Sequence, residues 1–510
     1  MDGRPRPWNI PFMGRASRLA AALLVVGLLG CEKTEPPVTV VVAKDMTLRG
    51  EPGLRIVSGN YRSDTVDAER PAGLVVELFD AAGHPAAGAL IRVAALSPDP
   101  THSDLHPVFV APSHSTFDTI ASVLTDARGR ASIDLKFGPR PGTAGVAVTA
   151  VGFSATGFAR DDTAHFSIET GAAVGLVYAP LDTALYIDGS LSPRGGLVDR
   201  HGNLRAEVLS WRTNPTIVVG DGPVISALGY GRASYNVSAG RWSQVAWISV
   251  VPRATIAVHR SDSDPEKNGI FRVGLDGSVL RRLSSIYPAG FASAPTWVGR
   301  NRLVYSSSVN GIMQLFSVDL TGNVTPFLRA VPPALYHQVW PRERAGLVFF
   351  AGYELGRGAS LWSAGADGNG AIERYRDASG SVESPAPSAT AVAISVGGVV
   401  RLVYADSVSS WTMSGRHPRF SPDGNRIAYT SNSAPNPGAL HVINADGTGY
   451  RRLSQPGALY ADQAFDWSSD GRWIIARGET TLELIEAATG LTIPLPYASQ
   501  MSTPAWRPPT

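Results

Sequence analysis

Few residues in this chain are placed to do chemistry. The single thiol, Cys31, can close no disulfide within the chain and build no cysteine metal site. His102, Asp104, His106 and His114 fall in one stretch and have the composition of a metal cluster. A His-x3-His spacing sets two imidazoles on one side only in a helix, and Pro98, Pro100, Pro107 and Pro112 oppose a helix. That stretch therefore reads as a solvated loop, and no metal or cofactor is expected. Tyr336 and His337, Arg416 and His417, and Tyr460 with Asp462 bring together imidazoles and a carboxylate, the groups a lyase or hydrolase would use for general acid–base work. None of them pairs a base with a nucleophile. No Gly-x-Ser-x-Gly elbow occurs either, so a non-catalytic protein is expected.

The elements that would position those side chains lie in the second half, residues 254–510, which repeats. Arg416-His-Pro-Arg-Phe-Ser-Pro-Asp-Gly424 leads into Arg426-Ile-Ala-Tyr429, then Leu440-His-Val-Ile-Asn-Ala-Asp-Gly447, then Tyr450-Arg-Arg-Leu453. That is four short strands with Asp-Gly turns, the sequence form of one propeller blade. Anchors for successive innermost strands are Trp297, Trp340, Pro387, Phe420, Trp467 and Trp506, at intervals of 43, 47, 33, 47 and 39 residues. These straddle the ~40–45-residue period of four-stranded blades. The repeat begins at a second strand, Thr255-Ile-Ala-Val-His259, and ends in a first strand, Thr503-Pro-Ala-Trp-Arg-Pro508. Joined, with Trp506 stitched to Ile256, they complete one blade, which predicts six blades closed by the C-terminal strand. The fourth blade, near Pro385, is short and has no Arg-Arg-Leu strand after Met413.

These repeats resemble the TolB-type propeller, whose blades carry Pro-x-Trp-Ser-Pro-Asp-Gly-x-x-Ile-Ala-Phe and Asp-Ala-Asp-Gly phrases. His417 to Gly424 with Ile427-Ala-Tyr429 is the nearest match, followed by Trp467-Ser-Ser-Asp-Gly471. The resemblance implies an interaction platform and makes Asp423 and Asp470 turn residues. Loops entering the innermost strands would then line the channel mouth, so Tyr336, His337, Arg416, His417, Tyr460 and Asp462 are the candidate binding residues. Similar repeats precede the hydrolase domain of prolyl oligopeptidase relatives, but no βαβ pattern follows here.

Before the propeller, residues 54–171 alternate at period two around Asp80-Ala-Ala-Gly83-His84-Pro85 and Thr125-Asp126-Ala-Arg-Gly129-Arg-Ala. These phrases resemble bacterial Ig-like domains of the invasin and intimin type. Residues 172–252 resemble a second bacterial Ig-like family through Ser210-Trp211-Arg212-Thr-Asn-Pro215, with Trp211 expected in the core.

At the N-terminus, Arg4, Arg6, Arg15 and Arg18 precede the apolar run Leu19 to Leu29, which is too short to span a bilayer. Leu28-Leu29-Gly30-Cys31 resembles the lipobox of bacterial lipoproteins, in which the cysteine is diacylated through its sulfur and the cleaved bond is the one just before it. Residues 1–30 are thus expected to be a signal peptide and 31–53 a tether, with Met13 a candidate alternative start. Glu32, where inner-membrane lipoproteins often carry Asp, favours the outer membrane. A net charge of +2 gives no sign of a nucleic-acid surface. The expectation is an all-β lipoprotein: two Ig-like β-sandwiches followed by a six-bladed β-propeller closed by the C-terminal strand. It would bind an envelope protein, peptide or glycan. Surface adhesion through the Ig-like domains is the alternative, and a propeller lyase or hydrolase a further one.

Overall fold

The computed structural model describes residues 50–96, 107–154, 157–220, 224–262, 264–284, 294–409, 412–432, 438–454, 460 and 465–509. Residues 1–49, which hold the signal, Cys31 and most of the tether, and His102, Asp104, His106 and Asp462 lie outside the described residues. Among those described, every regular element but a single 3-10 turn is a strand, and no helix is long and apolar enough to cross a membrane.

Residues 54–171 form two sheets around one core. The first is ordered Gly53–Ser58, Glu69–Phe79, Arg130–Phe137, Val108–Pro112. The second is ordered Arg62–Thr65, Asp161–Glu169, Gly142–Ala150, Leu90–Leu96, Ile120–Leu124. Alternation turns Leu74, Val76, Ile133 and Leu135 inward from one sheet, against Ile91, Val93, Val146 and Val148 of the other. The two turn phrases work alike. Asp80 Oδ1 accepts from the Ala82 and His84 amides, and Asp126 Oδ1 from those of Arg128 and Arg130. Gly129 is obligatory in its turn: φ is +73°, and a Cβ there would stand 2.5 Å from the Leu78 carbonyl oxygen.

In residues 172–252 the main sheet runs Asp182–Tyr186, Trp242–Val251, Gly231–Ala239, Ser210–Thr213. Trp211 packs against this core as expected, with its ring 5.3 Å from Tyr178, which is in turn 5.5 Å from the buried Tyr235. Both neighbours are gripped. Asp67 of the preceding unit accepts from Arg200 Nε at 2.7 Å and contacts His201. Toward the propeller, Val251, Tyr186 and Tyr230 join the cluster that holds Trp473, Leu482 and Leu495. Tyr230 meets Trp473 edge-on at 5.2 Å and lies 4.7 Å under the Arg472 guanidinium.

Among the described residues from 254 on, the strands form six four-stranded antiparallel sheets. The first strands are Thr296–Val298, Leu335–Arg344, Val382–Pro387, Arg416–Phe420, Phe465–Trp467 and Met501–Trp506. Each touches the first strand of the next sheet, and Met501–Trp506 touches Thr296–Val298. Sheets standing around a common axis with their first strands innermost make a β-propeller. Met501–Trp506 pairs antiparallel with Thr255–Arg260, placing Trp506 opposite Ile256. The sheet starting at Val382–Pro387 has a fourth strand of two residues, Met413–Ser414.

Four of the first strands share a device. Trp340, Ser384, His417 and Thr503 each precede a proline and take positive φ (57°, 47°, 54° and 44°). The pairing register shifts at each of these steps. Proline has no amide to donate, so it belongs at a bulge, where the ladder skips a bond. Counting from the prolines, Trp297, Pro387, Phe420 and Trp506 are equivalent, but the equivalent residue in Leu335–Arg344 is Glu343. Trp340, read from sequence as that strand's anchor, sits instead at the bulge.

Candidate functional site at the propeller axis

The residues expected at the channel mouth have different fates. Tyr336 stays 39% exposed and meets the His337 ring edge-on at 4.4 Å, while His337 Nδ1 accepts the Met313 amide at 2.9 Å. Arg416 is exposed. His417, next to it, is buried by the bulge with Nδ1 3.3 Å from Thr430 Oγ1. Burial, helped by the Arg419 and Arg416 charges, pulls its pKa down to about 3 and keeps the ring neutral. Tyr460 is also buried and donates to Glu483 Oε2 at 3.0 Å. Burial raises the Tyr460 phenol and the Glu483 carboxyl alike. The structure thus brings Tyr336 to His337 and turns Tyr460 toward Glu483. Asp462 falls outside the described residues.

The feature sequence reasoning missed lies one step deeper. The residue after each bulge proline, and its equivalents in the remaining two first strands, form one position around the axis: Thr296, Arg342, Ala386, Arg419, Asp466 and Ala505. Two guanidiniums and one carboxylate occupy a position otherwise filled by small residues. Arg342 and Arg419 are 8% and 3% exposed. Their Nη1 groups donate to carbonyls beside the bulge: Arg419 to Pro418 at 2.7 Å, Arg342 to Pro341 at 3.0 Å and Pro295 at 3.2 Å. Phe465 lies 5.7 Å from the Arg419 guanidinium carbon. Asp466, partly buried, accepts the Trp506 amide on Oδ2 at 2.8 Å and so ties its strand to the next one. The indoles add matching ties between neighbouring first strands: Trp467 to the Arg419 carbonyl at 3.0 Å, Trp297 to that of Ala505 at 3.2 Å.

Although they come from three sheets, these charges feel one another. Burial pulls both arginines below their ordinary values. Arg342 adds repulsion at Arg419, and Asp466 opposes the shift on both. At Asp466 burial raises the carboxyl, while the two guanidiniums and the Trp506 amide draw it back. All three stand at one register position of their first strands, within electrostatic reach of one another. The sequence signal was available: once the prolines are aligned, charge falls in a column of Thr and Ala.

No family model matches the chain, and no curated protein matches it. Among solved structures it is similar to TolB from Acinetobacter baumannii, at 13% identity over 66% of this chain and 100% of that one, with a TM-score of 0.43. A putative TolB from Agrobacterium tumefaciens gives 12% identity, 51% and 92% coverage and a TM-score of 0.25. An oligogalacturonate lyase in complex with manganese gives 14%, 52% and 83%, and 0.32. All three TM-scores fall below 0.5, so the propeller assignment rests on this chain's own sheets. Among the described residues, no three His, Cys, Asp or Glu are grouped to hold a metal.

Proposed function

We propose that this chain is a lipid-anchored protein of the bacterial cell envelope, held at the outer membrane through acylated Cys31. Its six-bladed propeller, closed by the C-terminal strand and carried on two Ig-like domains, would capture a protein, peptide or glycan without turning it over. The observation that carries this reading is the state of the mouth. Among the described residues, the mouth groups that could move protons are engaged in the fold: His337 by the Met313 amide, His417 by burial near Thr430, Tyr460 by Glu483. Tyr336 and Arg416 remain exposed, and these are residue types that anchor interfaces. The firm contact of residues 172–252 with the propeller supports presentation as one body, with the mouth held at a fixed angle to its stalk.

The test is crosslinking capture from envelope extracts, comparing the full chain with the Tyr336→Ala, Arg416→Ala double variant. A specific partner lost in the double variant is expected; equal capture by both would remove the mouth from the reading. Anchoring is tested separately, since Cys31→Ala should release the protein from the membrane fraction.

A further inference from the structure

We infer that the propeller axis is a binding site for a carboxylate, held by the Nε and Nη2 edge of Arg419 with Arg342 alongside. Three observations on the inner ring lead there. The first is which nitrogens are idle. Arg419 spends Nη1 on the Pro418 carbonyl, and its Nε and Nη2 are buried without a partner. Those two N–H bonds are parallel and form the edge of a guanidinium that grips two oxygens at once. Arg342 repeats the arrangement, with Nη1 on two carbonyls and a buried, unpartnered Nε. A buried donor left unpaired costs about 1–3 kcal/mol, and more when charged, so three on one ring point to an absent acceptor.

The second observation is charge. Two guanidiniums face one carboxylate, Asp466, and no ion pair within 4.0 Å joins it to either. Among the described residues one positive charge is left uncompensated there, which one further carboxylate would neutralise. The third is shape. Ala386 separates the two arginines around the ring, while Ala505 and Thr296 complete the opposite side, so small side chains flank the cationic pair. Other unpartnered polar atoms sit at the neighbouring bulge step: Trp340 Nε1, Ser384 Oγ and Thr503 Oγ1. They would give a ligand entering along the axis further polar contacts.

This inference extends the binding reading above to a ligand chemistry but stands on different residues, so the two fail separately. Loss of capture by the mouth variant leaves the axial site untouched. The experiment is thermal unfolding of the full chain at constant ionic strength against three probes: sodium acetate, a short peptide with a free C-terminal carboxylate, and its C-terminal amide. A saturable rise in Tm with acetate is expected. Arg419→Lys, which keeps the charge but loses the two-pronged edge, should weaken binding at least tenfold. Arg419→Met should abolish it. If Arg419→Met does not fold, the lysine variant and a bromoacetate-soaked crystal, read by bromine anomalous signal at the axis, carry the test. Binding of acetate alone assigns the site to free acids; binding of the acid peptide and not the amide assigns it to chain ends. An equal Tm rise in wild type and Arg419→Lys, or only water between the arginines in the crystal, would overturn the inference.

Discussion

Two aspartates four residues apart, Asp466 and Asp470, do opposite jobs in one sheet. Asp470 stays local: Oδ1 accepts from Ser468 Oγ and from the Arg472 amide in its own turn. Asp423 does the same one sheet earlier, with Ser421 and Asn425. Asp466 reaches out of its sheet to the Trp506 amide and faces two arginines from two other sheets. The rim turn closes a hairpin within one sheet, and the same device recurs in two neighbouring sheets. The axial aspartate has no counterpart around the ring and serves the assembly of sheets and what they enclose. In a repeat protein, residues that obey the repeat build the unit; those that break it are where a single site can be made.

That contrast is open to test, most severely at the seam. Removing residues 501–510 deletes the strand paired with Thr255–Arg260 and the amide that Asp466 accepts. It leaves an open sheet edge and strips Met501 from the core that holds Ile256 and Val258, a loss on the order of 5 kcal/mol. Calorimetry should show a broadened, lowered transition for the propeller. Unchanged thermal stability would refute closure by this strand.

Next in size is Asp466→Ala. It removes the acceptor of the Trp506 amide and the carboxylate that the two guanidiniums face, a loss of roughly 1–3 kcal/mol. The revealing partner is the triple variant Arg342→Met, Arg419→Met, Asp466→Leu. Replacing a whole buried ionic set by apolar groups is often neutral or stabilising by about 1–4 kcal/mol. A triple variant at least as stable as wild type, but blind to acetate, would show that the fold does not need these charges. A triple variant as unstable as Asp466→Ala would make the ring structural and erase the contrast with the rim.

The rim was legible in the sequence and the axis was not, for a physical reason. Asp-Gly turns, alternating strands and the pairing of Trp506 with Ile256 are signals carried within a few residues or by the ends of the repeat. Convergence of Arg342, Arg419 and Asp466 depends on the register of three sheets spread over more than a hundred residues. That register was misjudged where it mattered. Trp340 looks like an anchor because it is large and apolar, yet its proline sets it at the bulge and moves Arg342 to the axis. His417 and Tyr460 were placed by loop position, and neither the bulge that buries one nor the Glu483 partner of the other is visible locally.

The smallest effect separates the two kinds of aspartate most finely. Asp423 is exposed, and its Ser421 and Asn425 hydrogen bonds hold its carboxyl below the ordinary value. A depressed carboxyl contributes stability above its unfolded-state pKa and loses it as pH falls through the folded one. Asp466 has the opposite sign: burial raises it, so its ionised form is disfavoured by folding, and the contribution present at low pH is lost as pH rises through the raised value. Asp423→Asn should cost about 1 kcal/mol or less at neutral pH, a deficit that shrinks below the ordinary aspartate pKa near 3.8. Wild type should instead gain on Asp466→Asn as pH falls, because its raised carboxyl takes up a proton at a higher pH than an unfolded aspartate does. Urea titrations of both variants and wild type across pH 3–7 would read the two slopes. Slopes of the same sign would mean that the arginine charges outweigh burial at Asp466 and hold its carboxylate ionised.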